Sequence, residues 1–114
     1  MILCSSLCLY PYTFLMPRIS QDKLSVKIRA IADPHRRQIL HMLSQRGKCS
    51  LDKPTGLCAS DIEARLKISQ PTISHHMRIL AEAGLVEPKK IGQWMWYRRN
   101  EAELKSLAKE LRGL

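Results

Sequence analysis

The side chains in this chain able to do chemistry are few: four cysteines, four histidines and a polar run that begins at Gln70. Cys49 and Cys58 stand nine positions apart, whereas specific metal sites use closer pairs with further ligands at set offsets. A thiol that senses redox state needs an electropositive, partly exposed setting. Cys58, beside a helix start, and Cys49, in the loop Lys48 to Gly56, are the redox candidates. His35 and His41 are six apart and do not share a helical face at ligand spacing, so they read as solvated or packed residues. No Gly-rich phosphate loop, paired-carboxylate site or nucleophile motif occurs, so no enzyme is expected.

The polar run has a different chemistry. Ile73, Met77 and Leu80 fall at i, i+4 and i+7 and make one apolar stripe. Gln70, Thr72, Ser74, His75 and Arg78 are left off it, toward the exposed N-terminal end. Short hydroxyl and amide groups followed by Arg are what a major-groove reader presents to base edges and phosphates. On this stretch alone a solvated face explains them equally well.

The elements that must position these groups are marked by local signals. Ser60 with Glu63 is a capping-box pattern that predicts a helix start, with Ile62 and Leu66 one turn apart on it. Lys67-Ile68-Ser69 offers the break, Ser69 a second N-cap, Pro71 a first-turn residue and Gly84 the stop. Upstream, Leu24, Ile28 and Ile31 predict a helix over 20–32 with one apolar stripe. Asp33-Pro34 opens the next helix, which runs to about Arg46 with Arg36 and Arg37 outward and Gly47 as its end. After Gly84 the period changes to that of strands. Leu85-Val86 and Trp94 to Arg99 read as a β-hairpin, with its turn at Ile91-Gly92-Gln93 and Lys89, Lys90 and Gln93 at its tip. Some of Trp94, Trp96 and Tyr97 should cover the core. Asn100 caps a last helix whose stripe is Leu104, Leu107, Ala108 and Leu111.

Charge separates the readings. Across 114 residues, 19 Lys and Arg face 10 Asp and Glu, a formal charge of +9. A balance so basic points to a polyanionic partner. A membrane helix would need about 20 predominantly apolar residues, and no such run exists. Lysines on a hairpin edge can merely guard it against aggregation, but after a helix-turn-helix they are placed to meet phosphates. A winged-helix module that binds protein instead of DNA is the alternative, and it would lack this basic bias. Residues 1–17 carry no charged side chain and are set apart from 18–114 as an arm, disordered or partner-covered, or an extension upstream of a start at Met16. Without basic residues before the apolar run, a secretory signal is not expected, and a cytoplasmic protein with reduced thiols is.

The order α-α-α-α-β-β-α, mainly helical with one small hairpin, is that of a winged helix-turn-helix. From Ile31 to Arg98 the chain resembles the ArsR/SmtB-type bacterial and archaeal transcriptional repressors, through IADPHRRQILHML, LCASDIEARLKISQPTISHHMRILAEAGLV and IGQWMWYR. The resemblance implies a sequence-specific regulator, a homodimeric repressor that joins through its first and last helices and binds an inverted-repeat operator in double-stranded DNA. It implies DNA contacts from Gln70, Thr72, Ser74, His75 and Arg78, with His76 added, and from Lys89, Lys90 and Gln93 in the wing. Arsenic- and cadmium-type members carry a C-x-C pair where this chain reads Cys58-Ala59-Ser60, so one thiolate is missing. Cys4 and Cys8, spaced like the N-terminal pair of some cadmium-type members, would with Cys58 give three thiolates for a soft metal or metalloid. The zinc ligands of other members have no counterpart, since 101–114 contain no His or Asp, and the cysteine pair of sulfur-sensing members is absent from the second and last helices. The sensed signal is left unassigned.

Overall fold

The computed structural model describes residues 22–45 and 55–114. Their elements are α1 (Lys23–Ile31), α2 (Pro34–Leu43), β1 (Leu57–Cys58), α3 (Ala59–Leu66), α4 (Gln70–Glu82), β2 (Val86–Ile91), β3 (Trp94–Arg99) and α5 (Glu101–Arg112). Residues 1–21, with Cys4 and Cys8, and residues 46–54, with Gly47 and Cys49, lie outside the described residues, and so do the expectations placed on them.

Three of the five helices start where the capping signals predict, and at two of these the expected side chain makes the cap bond. Asp33 adopts extended φ/ψ and its carboxylate accepts from Arg36 N at 3.1 Å, with Pro34 in the first turn. Asn100 accepts from Glu103 N at 3.2 Å, and α4 begins at Gln70 behind Ser69. Asp22 starts α1 by accepting from Ser25 N at 2.7 Å. The exception is α3. Its N-cap is Cys58, not Ser60, and the reciprocal acid is Asp61, whose Oδ2 accepts from Cys58 N at 3.3 Å. Pairing explains the shift: Cys58 is held extended opposite Trp96, so the helix can start as soon as the strand ends.

That strand was not legible in the sequence. The sheet has three antiparallel strands in the order β1-β3-β2, with Leu57 opposite Tyr97 and Val86 opposite Arg99. Two residues are too short to show alternation. The β2–β3 hairpin turns tightly through Gly92 and Gln93, where Gly92 takes φ +61° and Ile91 pairs with Trp94.

The core gathers Ile39, Leu40, Met42 and Leu43 of α2, Ile62 of α3, Ile73, Met77 and Leu80 of α4, Leu85, Val86, Trp96 and Tyr97 from the hairpin, and Leu107 of α5. The α1 stripe is corrected. Ile28 is exposed, while Lys27 and Ala30 are buried with Leu24, Val26 and Ile31 packed partly against the core. The Lys27 stem can be buried because its ammonium meets carboxylates from α5: Nζ lies 2.8 Å from Glu103 Oε2 and 3.7 Å from Glu110 Oε1. On α5, Leu107 is buried as expected, but Ala108 and Leu111 are exposed.

This pair carries a prediction. The Glu103 carboxyl is held below the usual glutamate range by the Lys27 hydrogen bond and then its charge, and Lys27 is raised chiefly by the same bond. The stability from Glu103 is therefore present above the ordinary glutamate range and lost as pH falls through its lower folded value. Lys27 contributes fully below the ordinary lysine range and loses its share as pH rises past it. Glu103→Gln leaves a buried ammonium with its more distant partner, and should lower the melting temperature by a few degrees at neutral pH and by less in acid. Lys27→Met, which removes the charge and keeps the volume, should leave it nearly unchanged. Circular-dichroism melts of both variants check this contrast, and equal losses would refute it.

Candidate nucleic-acid interface

Lys67 ends α3 in the left-handed region at φ +57°, which turns the chain sharply into Ile68-Ser69. Ile62, Ile73, Met77 and Leu80, each 1 % exposed or less, lock the two helices together through the core. Ser69 bonds to a side chain instead of the backbone: its hydroxyl is 2.8 Å from Thr72 Oγ1. At the other end Gly84 takes φ +79° and Leu85 N donates to Leu80 O at 3.0 Å, closing α4 before the hairpin.

With the apolar stripe turned inward, Gln70, Thr72, Ser74, His75 and Arg78 are all exposed. Arg78 Nη2 lies 3.1 Å from His75 Nδ1. A guanidinium only donates, so the imidazole accepts here and orients the Arg78 fork outward. Among the described residues, these five form one polar surface on the N-terminal two-thirds of a rigid helix. Its chemistry is neutral hydrogen bonding plus one cation, the mix suited to base edges.

His76 is placed differently from the expectation. It is 7 % exposed and faces α2, with Nδ1 3.2 Å from Arg36 Nη1 and 4.0 Å from Asp33 Oδ2. It is buried toward Arg36 and Asp33 and does not share the exposed face of the other five. Burial, then the charges of Arg36 and the neighbouring histidines, holds its pKa below the usual histidine value against the pull of Asp33. Arg36 is also corrected: instead of pointing outward, its Nε donates to Ala30 O at 2.6 Å and its Nη2 to Arg29 O at 3.2 Å. The orphan carbonyls at the end of α1 draw it in. Asp33, although burial alone would raise it, is held below the usual carboxylate value by the Arg36 backbone N–H and the charges of His76 and Arg36. No sequence spacing marks this contact between residues forty positions apart.

In the wing, Lys89, Lys90 and Gln93 are exposed. Strand alternation puts the two lysines on opposite faces, Lys89 across from Trp96 and Lys90 across from Met95. Trp96 and Tyr97 are buried, as expected of some of the aromatic residues, whereas Trp94 at the tip is 45 % exposed. Arg98 bridges the strands, with Nη2 2.7 Å from Glu87 Oε1, and lies over the Trp96 ring at 5.9 Å.

Cys58 is 1 % exposed, with Sγ 3.1 Å from both Ser60 Oγ and Asp61 Oδ2. Among the described residues it is the one cysteine, and the position of a second thiolate is filled by a serine hydroxyl. A soft metal wants several thiolates, so the described residues do not fit one here.

A capped helix, a tight turn, a second helix with an outward polar face and a basic two-stranded wing define a winged helix-turn-helix regulator. Comparison with known proteins narrows the class. Residues 33–88 match the model for bacterial regulatory proteins of the arsR family. The arsenical resistance operon repressor of Staphylococcus aureus is 36 % identical over 93 residues, which span 82 % of this chain and 81 % of the relative. An uncharacterised HTH-type transcriptional regulator of Methanocaldococcus jannaschii is 35 % identical over 88 residues, 77 % of this chain and 90 % of the relative. An ArsR-like transcriptional regulator from Rhodococcus sp. superposes with a TM-score of 0.64 at 31 % identity, covering 79 % of this chain and 76 % of that one. The chain belongs to the arsR family of bacterial regulatory proteins. It is a DNA-binding transcriptional regulator and not an enzyme.

Proposed function

We propose that two copies of the chain pair through α1 and α5 and repress transcription in the cytoplasm by binding an inverted-repeat operator. Each α4 enters a major groove, with Gln70, Thr72, Ser74, His75 and Arg78 toward the bases and phosphates. Lys89, Lys90 and Gln93 of the wing add backbone contacts beside it. The observation that carries this reading is the sorting on α4, with its apolar stripe buried and all five polar groups left in solvent. Pairing is supported by Ile28 on α1 and by Leu111 and Leu114 at the α5 end, exposed at 38 %, 40 % and 87 %. These are apolar side chains that a twofold partner would cover.

Fluorescence anisotropy with the promoter fragment upstream of the gene, against a scrambled duplex, tests the reading, with sedimentation equilibrium for the stoichiometry. Two protomers per specific site are expected. Equal affinity for both duplexes, or binding by a monomer, would refute it. Lys89→Ala should weaken binding evenly on both duplexes and lower the slope of log affinity against log salt by about one, as loss of one phosphate contact requires. An unchanged slope would remove Lys89 from the interface.

A further inference from the structure

We propose that Asp33, His35 and His76 form a binding site for one borderline divalent transition-metal ion of the Zn(II), Co(II) or Ni(II) class, clamped between the start of α2 and α4. The three residues each bring one ligating atom, and all these atoms lie within 4.8 Å of one another. Asp33 Oδ2 is 3.9 Å from His35 Nδ1 and 4.0 Å from His76 Nδ1, and the two imidazole centroids are 5.7 Å apart. Two imidazoles and a carboxylate are the donor set such ions prefer, with a coordination position left for water or a further ligand.

The three groups differ in what they must do to close on an ion. Ligand atoms around a tetrahedral ion lie about 3.3 Å apart, given bonds of about 2.0–2.1 Å, so the site has to contract. Asp33 is held as the cap of α2, and its Oδ2, the oxygen nearest both imidazoles, also accepts from Arg36 N, so it would meet the ion with its second lone pair or yield to Oδ1 by a turn of the carboxylate. His76 is fixed by burial on α4. His35, whose side chain is 48 % exposed, has room to swing toward the other two, and the 4.0 Å between Asp33 Oδ2 and His76 Nδ1 has to close by a turn of the carboxylate. The ion must also displace a competitor. His76 Nδ1 has one lone pair and offers it to Arg36, whose guanidinium is anchored on the carbonyls of Ala30 and Arg29 at the end of α1. That nitrogen serves Arg36 or the ion, never both. Occupation therefore breaks the strut that ties α1 to α4, and the charge of the ion drives the guanidinium away. If α4 reads DNA as proposed above, the ion changes operator affinity. The site itself does not depend on that reading.

The test separates the two. Titration of the full-length protein with Co(II) without DNA should give one equivalent per protomer, and ligand-field absorption without a thiolate charge-transfer band. His35→Ala, on an exposed side chain that leaves the cap and the core intact, should weaken binding at least about 10-fold, and zinc competition should follow the same order. Cys58→Ser should bind as the parent does. His76→Gln, checked by circular dichroism for folding, should also lose binding. Failure to saturate, equal affinity in His35→Ala, or a charge-transfer band that vanishes in Cys58→Ser would overturn the site. Saturating zinc should then weaken operator binding about 5-fold or more in the parent and leave His35→Ala unaffected. An unchanged parent affinity would overturn the coupling.

Discussion

Gly56→Ala is expected to lower the melting temperature by more than the same change at Gly84, Gly92 or Gly113. Gly56 holds φ +83°, a conformation that costs an alanine about 1–2 kcal/mol. Its Cβ would also stand 2.5 Å from Tyr97 O and 2.7 and 2.8 Å from Trp96 Cζ2 and Cε2. The first is backbone, held in a strand, and the second is an indole that is 8 % exposed, so neither can step aside cheaply. Overpacking of this kind adds about 1–3 kcal/mol. The sum is about 3 kcal/mol, or some 10–20 °C for a domain of this size. By contrast, Gly92→Ala meets nothing within 4 Å and suffers only its positive φ, so it should lose about 1 kcal/mol. Thermal melts of the two variants check the difference. A Gly56→Ala melt within about 2 °C of the parent would mean that β1 is not locked against β3 as described.

Arg78→Ala is expected to cost about 1–3 kcal/mol of operator binding, roughly 5- to 150-fold, and to relax preference at one base position per half-site. The geometry gives the reason. Arg78 is exposed on the outward face of α4, and His75 Nδ1 at 3.1 Å fixes one side of its fork. A bidentate contact depends on that preorganised plane, so Arg78→Lys should recover phosphate attraction but not base preference. His75→Ala should show a smaller loss with the same pattern. The measurement is a gel shift on operator and on random duplex in parallel. Equal losses on both would mean that Arg78 touches only the backbone, and would move sequence reading to Gln70, Thr72 or Ser74.

Most of the positioning elements were legible because their signals are local. Asp33-Pro34, Pro71, Gly84 and Asn100 act through φ values, missing donors and caps within one turn of their own position, and the structure puts helix boundaries at all four. Ile73, Met77 and Leu80 share a face by helical period alone. The errors fall where a residue's environment comes from far along the chain. Ser60 had the right neighbours for a cap, but pairing of Cys58 with Trp96 started the helix earlier. Ile28 fitted an apolar stripe, but Glu103 and Glu110 made Lys27 the residue that could be buried.

The sequence by itself determined that this is a basic winged helix-turn-helix regulator and which five side chains leave α4 on its outer face. Charge balance, capping and helical period need no partner from elsewhere in the chain. Only the tertiary structure decided that His76 turns inward to Asp33 and His35, that Arg36 fastens α1 to α4, and that Lys89 stands across from Trp96 and Lys90 across from Met95. The first two depend on how helices cross, and the third on strand register. A sequence read in windows of a few turns contains neither.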